Sequence, residues 1–434
     1  MRYLLDALYL LLLLLICPWL IYKALTVGKY RRGLAAKLLG LPRSALSLAA
    51  MPRVWFHGVS VGEIHLLRQV IAAFRQRHPE WQCVVSTTTD TGFDEARKRF
   101  PDLPIIYYPF DFSWAVRRTI CAIQPLLIVL TESEMWPNYL LAASSAKVPV
   151  ALINGRMSPR SFRRYQKLRP LVRWLLRHLD LIAVQTQEYA ESLCDLGADA
   201  ATVHVTGNVK YDGVTSRRDN AQTNQFRELF NVHDSDVVWV CGSTQAPEEE
   251  IALQIYRRLQ PQARLRLFLV PRQKERFEEV ANLLESSGLP YVRRSNLTAP
   301  LSDRESVVLV DTIGELGAVW GLADIAFVGG SLDGRRGGQN MIEPAAYGAA
   351  VVWGPHVWNF RDTVQRLLAK DAAVQVADAA ALGMTVQGLV QDRAERERLG
   401  AAAQRFVLQQ QGATQRTIDL LDDLLPAQRE QAAA

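Results

Sequence analysis

A chain of 434 residues is too long for a single hydrophobic core, so two domains are expected. Its 49 % apolar content excludes a disordered or fibrous protein over most of the length, and a net charge of +6 suits a membrane surface or an anionic substrate. Cys17, Cys83, Cys121, Cys194 and Cys241 are scattered, with no C-x-x-C and no histidine in ligand spacing, which argues for a reducing compartment and against structural zinc or a disulfide framework.

Residues Ala7 to Tyr22 carry no charge. Extended past Lys23 to Leu25, the run approaches the roughly 20 residues that a bilayer requires. A cleaved signal peptide competes with this reading, but Asp6 stands where a positive leader is needed and no small-x-small cleavage site follows. Lys23, Lys29, Arg31, Arg32, Lys37 and Arg43 follow the apolar run while only Arg2 precedes it, so an uncleaved anchor over 1–25 would leave the body in the cytoplasm.

The body alternates strand and helix. Val54–His57 reads as a strand and Gly58–Gly62 as a turn. A helix begins at Glu63, with Ile64, Leu67, Ile71 and Phe74 on one face. Glu63 thus sits at a strand-to-helix junction, where open α/β sheets hold ligands. The rival reading is a capping box of Ser60 with Glu63; the glycines around Ser60 favour a site. Strands at 83–86, 105–108, 126–130, 148–153 and 181–184 complete a parallel pattern. The fourth strand of the body runs into Thr131-Glu132-Ser133-Glu134-Met135-Trp136-Pro137, again with carboxylates at a strand's carboxyl end.

From Arg156 to Arg177 the basic residues Arg156, Arg160, Arg163, Arg164, Lys167, Arg169, Arg173 and Arg177 have no acid among them, and Phe162, Tyr165, Leu168, Leu171 and Trp174 interleave. A solvated helix face is the plain explanation. One-signed charge mixed with aromatics also suits a membrane surface or a phosphorylated lipid. Nucleic acid is disfavoured, because no reader motif accompanies the charge.

Thr206–Asp212 closes the first domain, and Ser216–Asn224 reads as a linker. A second series follows, with strands at 237–241, 265–270, 307–310, 325–328 and 350–353. Ser243 and Thr244 project from the first of these. Glu248, Glu249 and Glu250 are read as helix-start chemistry. Arg272 follows the second strand and Ile313-Gly314-Glu315 the third. Strand 325–328 opens into a glycine loop containing Gly338, then a helix from about Asn340 to Gly348 that carries Glu343. Glycines permit close backbone approach and a helix start suits phosphate, so with Asn340 and Glu343 behind it the loop reads as a nucleotide site. A flexible loop before an ordinary helix is the alternative. His356 is left out of the site. From about Val407 the chain is helical, with a disordered tail expected after Pro426.

In its motifs the chain resembles the 3-deoxy-D-manno-octulosonate (Kdo) transferases of lipopolysaccharide assembly. The similarity is carried by HGVSVGE (57–63), TESEMWPN (131–138), NVKYD (208–212), GST (242–244), VPRQKER (270–276), DTIGEL (311–316), VGGSLDGRRGGQNMIEP (328–344) and WGPHVWNF (353–360). The resemblance implies a type-B glycosyltransferase fold: two Rossmann-like α/β domains facing a cleft, behind an N-terminal membrane-anchor helix. The expected division is 1–25 anchor, 26–215 acceptor domain, 216–410 CMP-sugar domain and 411–434 terminal helix and tail.

The resemblance further implies an inverting, metal-independent and cofactor-free transfer of Kdo from CMP-Kdo to a lipid A precursor at the inner membrane. Glu63 would be the general base and Glu132 a second carboxylate. Lys210, Ser243, Thr244, Arg272, Ile313, Gly314, Glu315, Gly338, Asn340 and Glu343 would surround the donor. Arg156, Arg160, Arg163, Arg164 and Lys167 would meet the phosphorylated glycolipid acceptor or the membrane. Gln245, Gln273 and Gln339 replace histidines common in the family; a glutamine carries no proton at neutral pH. The competing functions are a UDP-sugar transferase or epimerase of the same architecture, and a non-catalytic membrane-bound carbohydrate-binding protein.

Overall fold

The computed structural model describes residues 2–27, 32–46, 51–262, 264–302 and 307–426. The chain divides into two units, Met1–Gly213 together with Gln411–Ala434, and Val214–Gln410.

Unit 1 holds seven parallel strands: β1 (Arg53–His57), β2 (Gln82–Thr87), β3 (Ile105–Tyr107), β4 (Leu127–Thr131), β5 (Val150–Gly155), β6 (Leu181–Val184) and β7 (Val203–Val205). Their order is β3-β2-β1-β4-β5-β6-β7. Sequence periodicity places all of them except β7, which is too short and too polar to stand out. The five central strands, β2, β1, β4, β5 and β6, are buried on both faces, as parallel strands under helices must be. Trp55, Ile128 and Leu130 point to one layer; Val54, Phe56 and Val129 point to the other.

The helices of unit 1 begin with α1 (Arg2–Val27), α2 (Leu34–Leu39), α3 (Val61–Arg77) and α4 (Asp90–Arg99). They continue with α5 (Ser113–Ile123), α6 (Pro137–Ser145), α7 (Pro159–Gln166) and α8 (Arg169–Leu176). Among the described residues no helix is long and apolar enough to cross a membrane, so the spanning anchor expected over 1–25 is not found. Asp6, inside that stretch, is buried. Its carboxylate accepts from the Ser113 amide at 2.8 Å, Ser113 Oγ at 2.6 Å and Asn138 Nδ2 at 3.1 Å.

The terminal helix Ala413–Asp422 returns to unit 1, where Ala413, Ile418 and Leu421 join the layer of α3. Asp212 holds its start, accepting from the Gly412 amide at 2.6 Å and also from the Thr414 amide. The expectation for residues after Pro426 lies outside the described residues, as do Lys29 and Arg31.

Unit 2 is a second parallel sheet of β8 (Val237–Thr244), β9 (Leu265–Pro271), β10 (Tyr291–Arg293), β11 (Val307–Leu309), β12 (Ile325–Val328), β13 (Ala350–Trp353) and β14 (Val374–Gln375), in the order β10-β11-β9-β8-β12-β13-β14. The stretch read as a linker is structured: Asn220 caps a helix over Ala221–Leu229, and Arg218 donates to the carbonyls of Tyr347 and Ala323 at 2.9 and 2.6 Å.

Each sheet has a point where the chain reverses its direction of growth. In unit 1 it lies between β1 and β4, and in unit 2 between β8 and β12. Open α/β sheets bind ligands outside the carboxyl ends of strands at such a point, because the two crossovers leave in opposite directions and open a crevice.

Candidate functional site

In unit 1 the switch point lies below Glu63 and Glu132. β1 ends at His57, the chain turns, and Glu63 occupies the first turn of α3. The capping-box reading is not what forms: Ser60 makes no side-chain cap, and its hydroxyl instead donates to Glu63 Oε1 at 3.1 Å. Glu63 Oε2 accepts from the Val59 amide at 3.0 Å and from Thr131 Oγ1, at the end of β4, at 2.6 Å. Three donors therefore hold a part-exposed carboxylate still, and of its roughly four acceptor directions one remains for an incoming hydroxyl.

Glu132 follows directly, in a left-handed backbone conformation with φ 58°. Such a φ is costly for a residue with a Cβ and is held here by tertiary contacts. Its amide donates to the Ile153 carbonyl at 3.0 Å. Its carboxylate lies 2.8 Å from Arg156 Nη2 and 3.6 Å from Lys210 Nζ. Lys210 is placed by Asn208, whose side chain accepts from the Lys210 amide at 3.0 Å. The structure thus brings Glu63, Glu132, Lys210 and Arg156 to one sheet edge. Arg156 belongs to this cluster, whereas the sequence grouped it with the basic surface.

Arg160, Arg163, Arg164 and Lys167 do form a surface, at and just after α7. Phe162 and Tyr165 turn inward against the core, which leaves the cations outside beside exposed Leu168 and Leu171.

Glu134 was missed as a site residue, although it is the second acid of the run after β4. Burial pushes its carboxyl above the ordinary range; Trp136 Nε1, donating at 2.7 Å, pulls it back, and the charges of Glu63 and Glu132 raise it further. Glu134 therefore lies close enough to feel both of the other carboxylates.

In unit 2, β8 ends in Ser243, with φ 56°, and Thr244, whose buried Oγ1 has no hydrogen-bond partner among the described residues. Gly329, after β12, packs so tightly on this end that an added Cβ would stand 2.6 Å from Thr244 Cα. Gly338, with φ 78°, closes the loop by donating its amide to the Gly330 carbonyl at 2.8 Å.

The amides at the beginning of the loop, however, are already engaged. Glu248 is buried, and its carboxylate accepts from the Gly330 and Gln245 amides at 2.7 and 2.9 Å through Oε2, and from the Ser331 and Leu332 amides at 2.9 and 3.2 Å through Oε1. The helix behind the loop is short, Ile342–Ala346, and Asn340 Oδ1 takes the Ile342 amide at 3.0 Å. The amides of Gly330, Ser331, Leu332 and Ile342 are thus taken up within the protein. Glu248, read as ordinary helix-start chemistry, sets the loop's shape.

What faces outward is a set of side chains. Asn340 Nδ2 donates to Glu343 Oε1 at 2.9 Å. Burial raises the Glu343 carboxyl, while Asn340 and the positive charge of Arg272 work against that rise. Arg272 is exposed at the end of β9, its amide donating to the Thr244 carbonyl at 3.1 Å. Ile313 is 69 % exposed, an apolar plate just beyond the end of β11. Gly314 beside it, at φ 91°, has open space where a Cβ would be. Glu315 is committed to Arg294 Nη2 at 3.0 Å and to Thr312 Oγ1, so it is less available than its position suggests. Among the described residues, no group of three or more His, Cys, Asp or Glu side chains could hold a metal ion.

Residues 29–213 match the family model described as 3-deoxy-D-manno-octulosonic-acid transferase (kdotransferase). The chain is similar to the 3-deoxy-D-manno-octulosonic acid transferase of Haemophilus influenzae, at 33 % identity over 86 % of this chain and 87 % of that one. It is similar to the protein of the same name from Bordetella pertussis, at 35 % identity over 86 % of this chain and 87 % of that one. Among solved structures, a glycosyltransferase from Rickettsia africae shares the fold, with a TM-score of 0.54 at 11 % identity, covering 87 % of this chain and 100 % of that one.

Proposed function

Because the chain belongs to the 3-deoxy-D-manno-octulosonic-acid transferase family, we propose that it moves Kdo from CMP-Kdo onto a phosphorylated lipid A precursor, with inversion and without a metal ion, at the cytoplasmic face of the inner membrane. The observation that carries this reading is the immobilised carboxylate of Glu63 at the unit 1 switch point.

In the transfer, an acceptor hydroxyl oxygen forms a bond to the anomeric carbon. The bond from that carbon to the phosphate oxygen breaks, and CMP departs as a phosphate monoester. Glu63 takes the hydroxyl proton, a step that positioned carboxylates accelerate by about 10²–10⁴-fold. Lys210 and Arg156, which share Glu132, would receive the sugar's carboxylate or the phosphate. In unit 2, Arg272 would meet the donor's anionic part. Glu343, steadied by Asn340, would accept from the ribose hydroxyls, and Ile313 would lie against the base. A good leaving group needs only fixed donors at the developing charge, which is why no metal enters this scheme. Arg160, Arg163, Arg164 and Lys167 would contact the phosphates of the acceptor.

Mass spectrometry of the products from CMP-Kdo and a tetra-acylated lipid A precursor tests the reading. Wild type should add the mass of Kdo. Glu63→Gln should lower turnover by at least about 10²-fold while calorimetric CMP binding is unchanged. Full activity in Glu63→Gln would remove the base assignment, and preference for UDP over CMP would favour a UDP-sugar enzyme.

A further inference from the structure

The N-terminal helix carries information that the reaction does not use. α1 has 26 residues, about 39 Å at 1.5 Å per residue. One stripe of it faces unit 1: Leu5, Tyr9, Leu13 and Cys17 are part-buried and Asp6 is buried, at the three-to-four spacing that defines a single helix face. The stripe is fastened by polar contacts as well as packing. Asp6 takes three hydrogen bonds from Ser113 and Asn138, Tyr9 Oη donates to Asp111 Oδ2 at 2.9 Å, and the Tyr9 ring meets Phe112 edge-on at 6.1 Å.

Beyond α1 the chain returns to the same unit. Arg32 pairs with Asp94 through two contacts of 2.7 Å, and Trp114 Nε1 donates to the Leu38 carbonyl at 2.9 Å. A spanning helix needs its ends on opposite sides of roughly 30 Å of hydrocarbon. Here the residues before and after the apolar run are tied to one body, which lies on one side of any membrane.

The rest of α1 is apolar and open. Leu4, Leu8, Leu11, Leu14, Leu15 and Leu25 are between 50 and 75 % exposed. Trp19 and Tyr22, the side chains that settle at headgroup depth, are also exposed, and Lys23 follows them. We propose that α1 lies flat in one leaflet of a lipid bilayer, its leucine face in the acyl boundary and both ends on the side of the body, so that the protein is monotopic rather than spanning. This rests on the membrane reading given above. Lipid is the occupant favoured because the open surface is aliphatic along its length and ends in aromatic and basic residues.

Topology is tested on the full chain carrying an N-terminal epitope behind a site-specific protease site, in sealed inverted vesicles whose cytoplasmic leaflet faces outward. External protease should remove the epitope as completely as in detergent-opened vesicles, with the chain still in the pellet. An epitope protected until detergent is added would overturn the proposal. A chain found in the supernatant would instead sink the membrane reading itself. Leu11→Glu with Leu15→Glu, on the open face, should reduce the pelleted fraction at least tenfold without lowering the melting temperature; an unchanged pelleted fraction would also overturn the flat placement.

Discussion

Glu248→Gln is the substitution through which the glycine loop is best tested. The carboxylate accepts four backbone amides, two on each oxygen, at 2.7 to 3.2 Å. Glutamine keeps one acceptor oxygen and turns an N–H₂ group toward the other two donors. Each buried N–H left without an acceptor costs about 1–3 kcal/mol, so the pair costs about 2–6 kcal/mol. Against this, burial already pushes the Glu248 carboxyl up, with the amides of Gly330, Ser331, Gln245 and Leu332 offsetting only part of the rise. Removing the charge therefore returns some free energy, and a net loss of about 1–4 kcal/mol is expected. The assay is hydrogen exchange at Gly330, Ser331 and Leu332, which reads the loop directly. Exchange there should accelerate by about 5- to 700-fold, at 1.4 kcal/mol per factor of ten, with strands of unit 1 unaffected. Unchanged protection at these three amides would refute the argument that Glu248 shapes the loop.

Thr131→Val removes the 2.6 Å donor to Glu63 while nearly conserving volume; loss of one hydrogen bond to a charged group, about 1.5–3 kcal/mol, should lower kcat by roughly 10- to 100-fold with KM little changed, as steady-state kinetics will show. Asp111 is pushed up to about 6 by burial, with the Asn138 and Tyr139 amides and Tyr9 opposing and Asp6 adding. Its folded value exceeds the ordinary 3.8, so the folded state binds more protons between about pH 4 and 6 and this residue's contribution to stability falls as pH rises through that window, by up to about 3 kcal/mol. Denaturant titrations across that range should therefore show wild type losing stability relative to Asp111→Asn as pH rises, and parallel curves would contradict the shift. Glu132→Asn places a residue tolerant of left-handed backbone at φ 58°; melting should be unchanged or up to about 1 kcal/mol better, while transfer drops. A large loss of stability would show that the ion pairs with Arg156 and Lys210 outweigh the strain.

The division between what the sequence reveals and what it conceals follows from the range of the interactions involved. The strands of both sheets are near-continuous apolar runs, so eleven of them are visible from residues alone, while β7, β10 and β14, at two or three residues each, carry no readable period. Glu63 and Glu132 are legible because strand-to-helix junctions are local events. What the residues around Glu63 cannot announce is Thr131, a donor across the sheet switch point that lies 68 residues away in sequence. The same logic explains why the role of Glu248 in the glycine loop is concealed. Proline and acids opening a helix look complete as helix chemistry, and nothing near Glu248 in the chain points to amides 82 to 84 residues further on.

The N-terminal run hides its fastening for a related reason. Hydropathy counts side chains without asking which are already taken, and Asp6, a single charge among leucines, reads as a tolerable flaw in a span. In the fold it is the fastening. A carboxylate that accepts three hydrogen bonds from Ser113 and Asn138 cannot also stand on the far side of a bilayer from them. In the flat placement proposed above, one buried polar residue outweighs a score of apolar neighbours, because each unmade hydrogen bond in hydrocarbon costs more than a leucine gains.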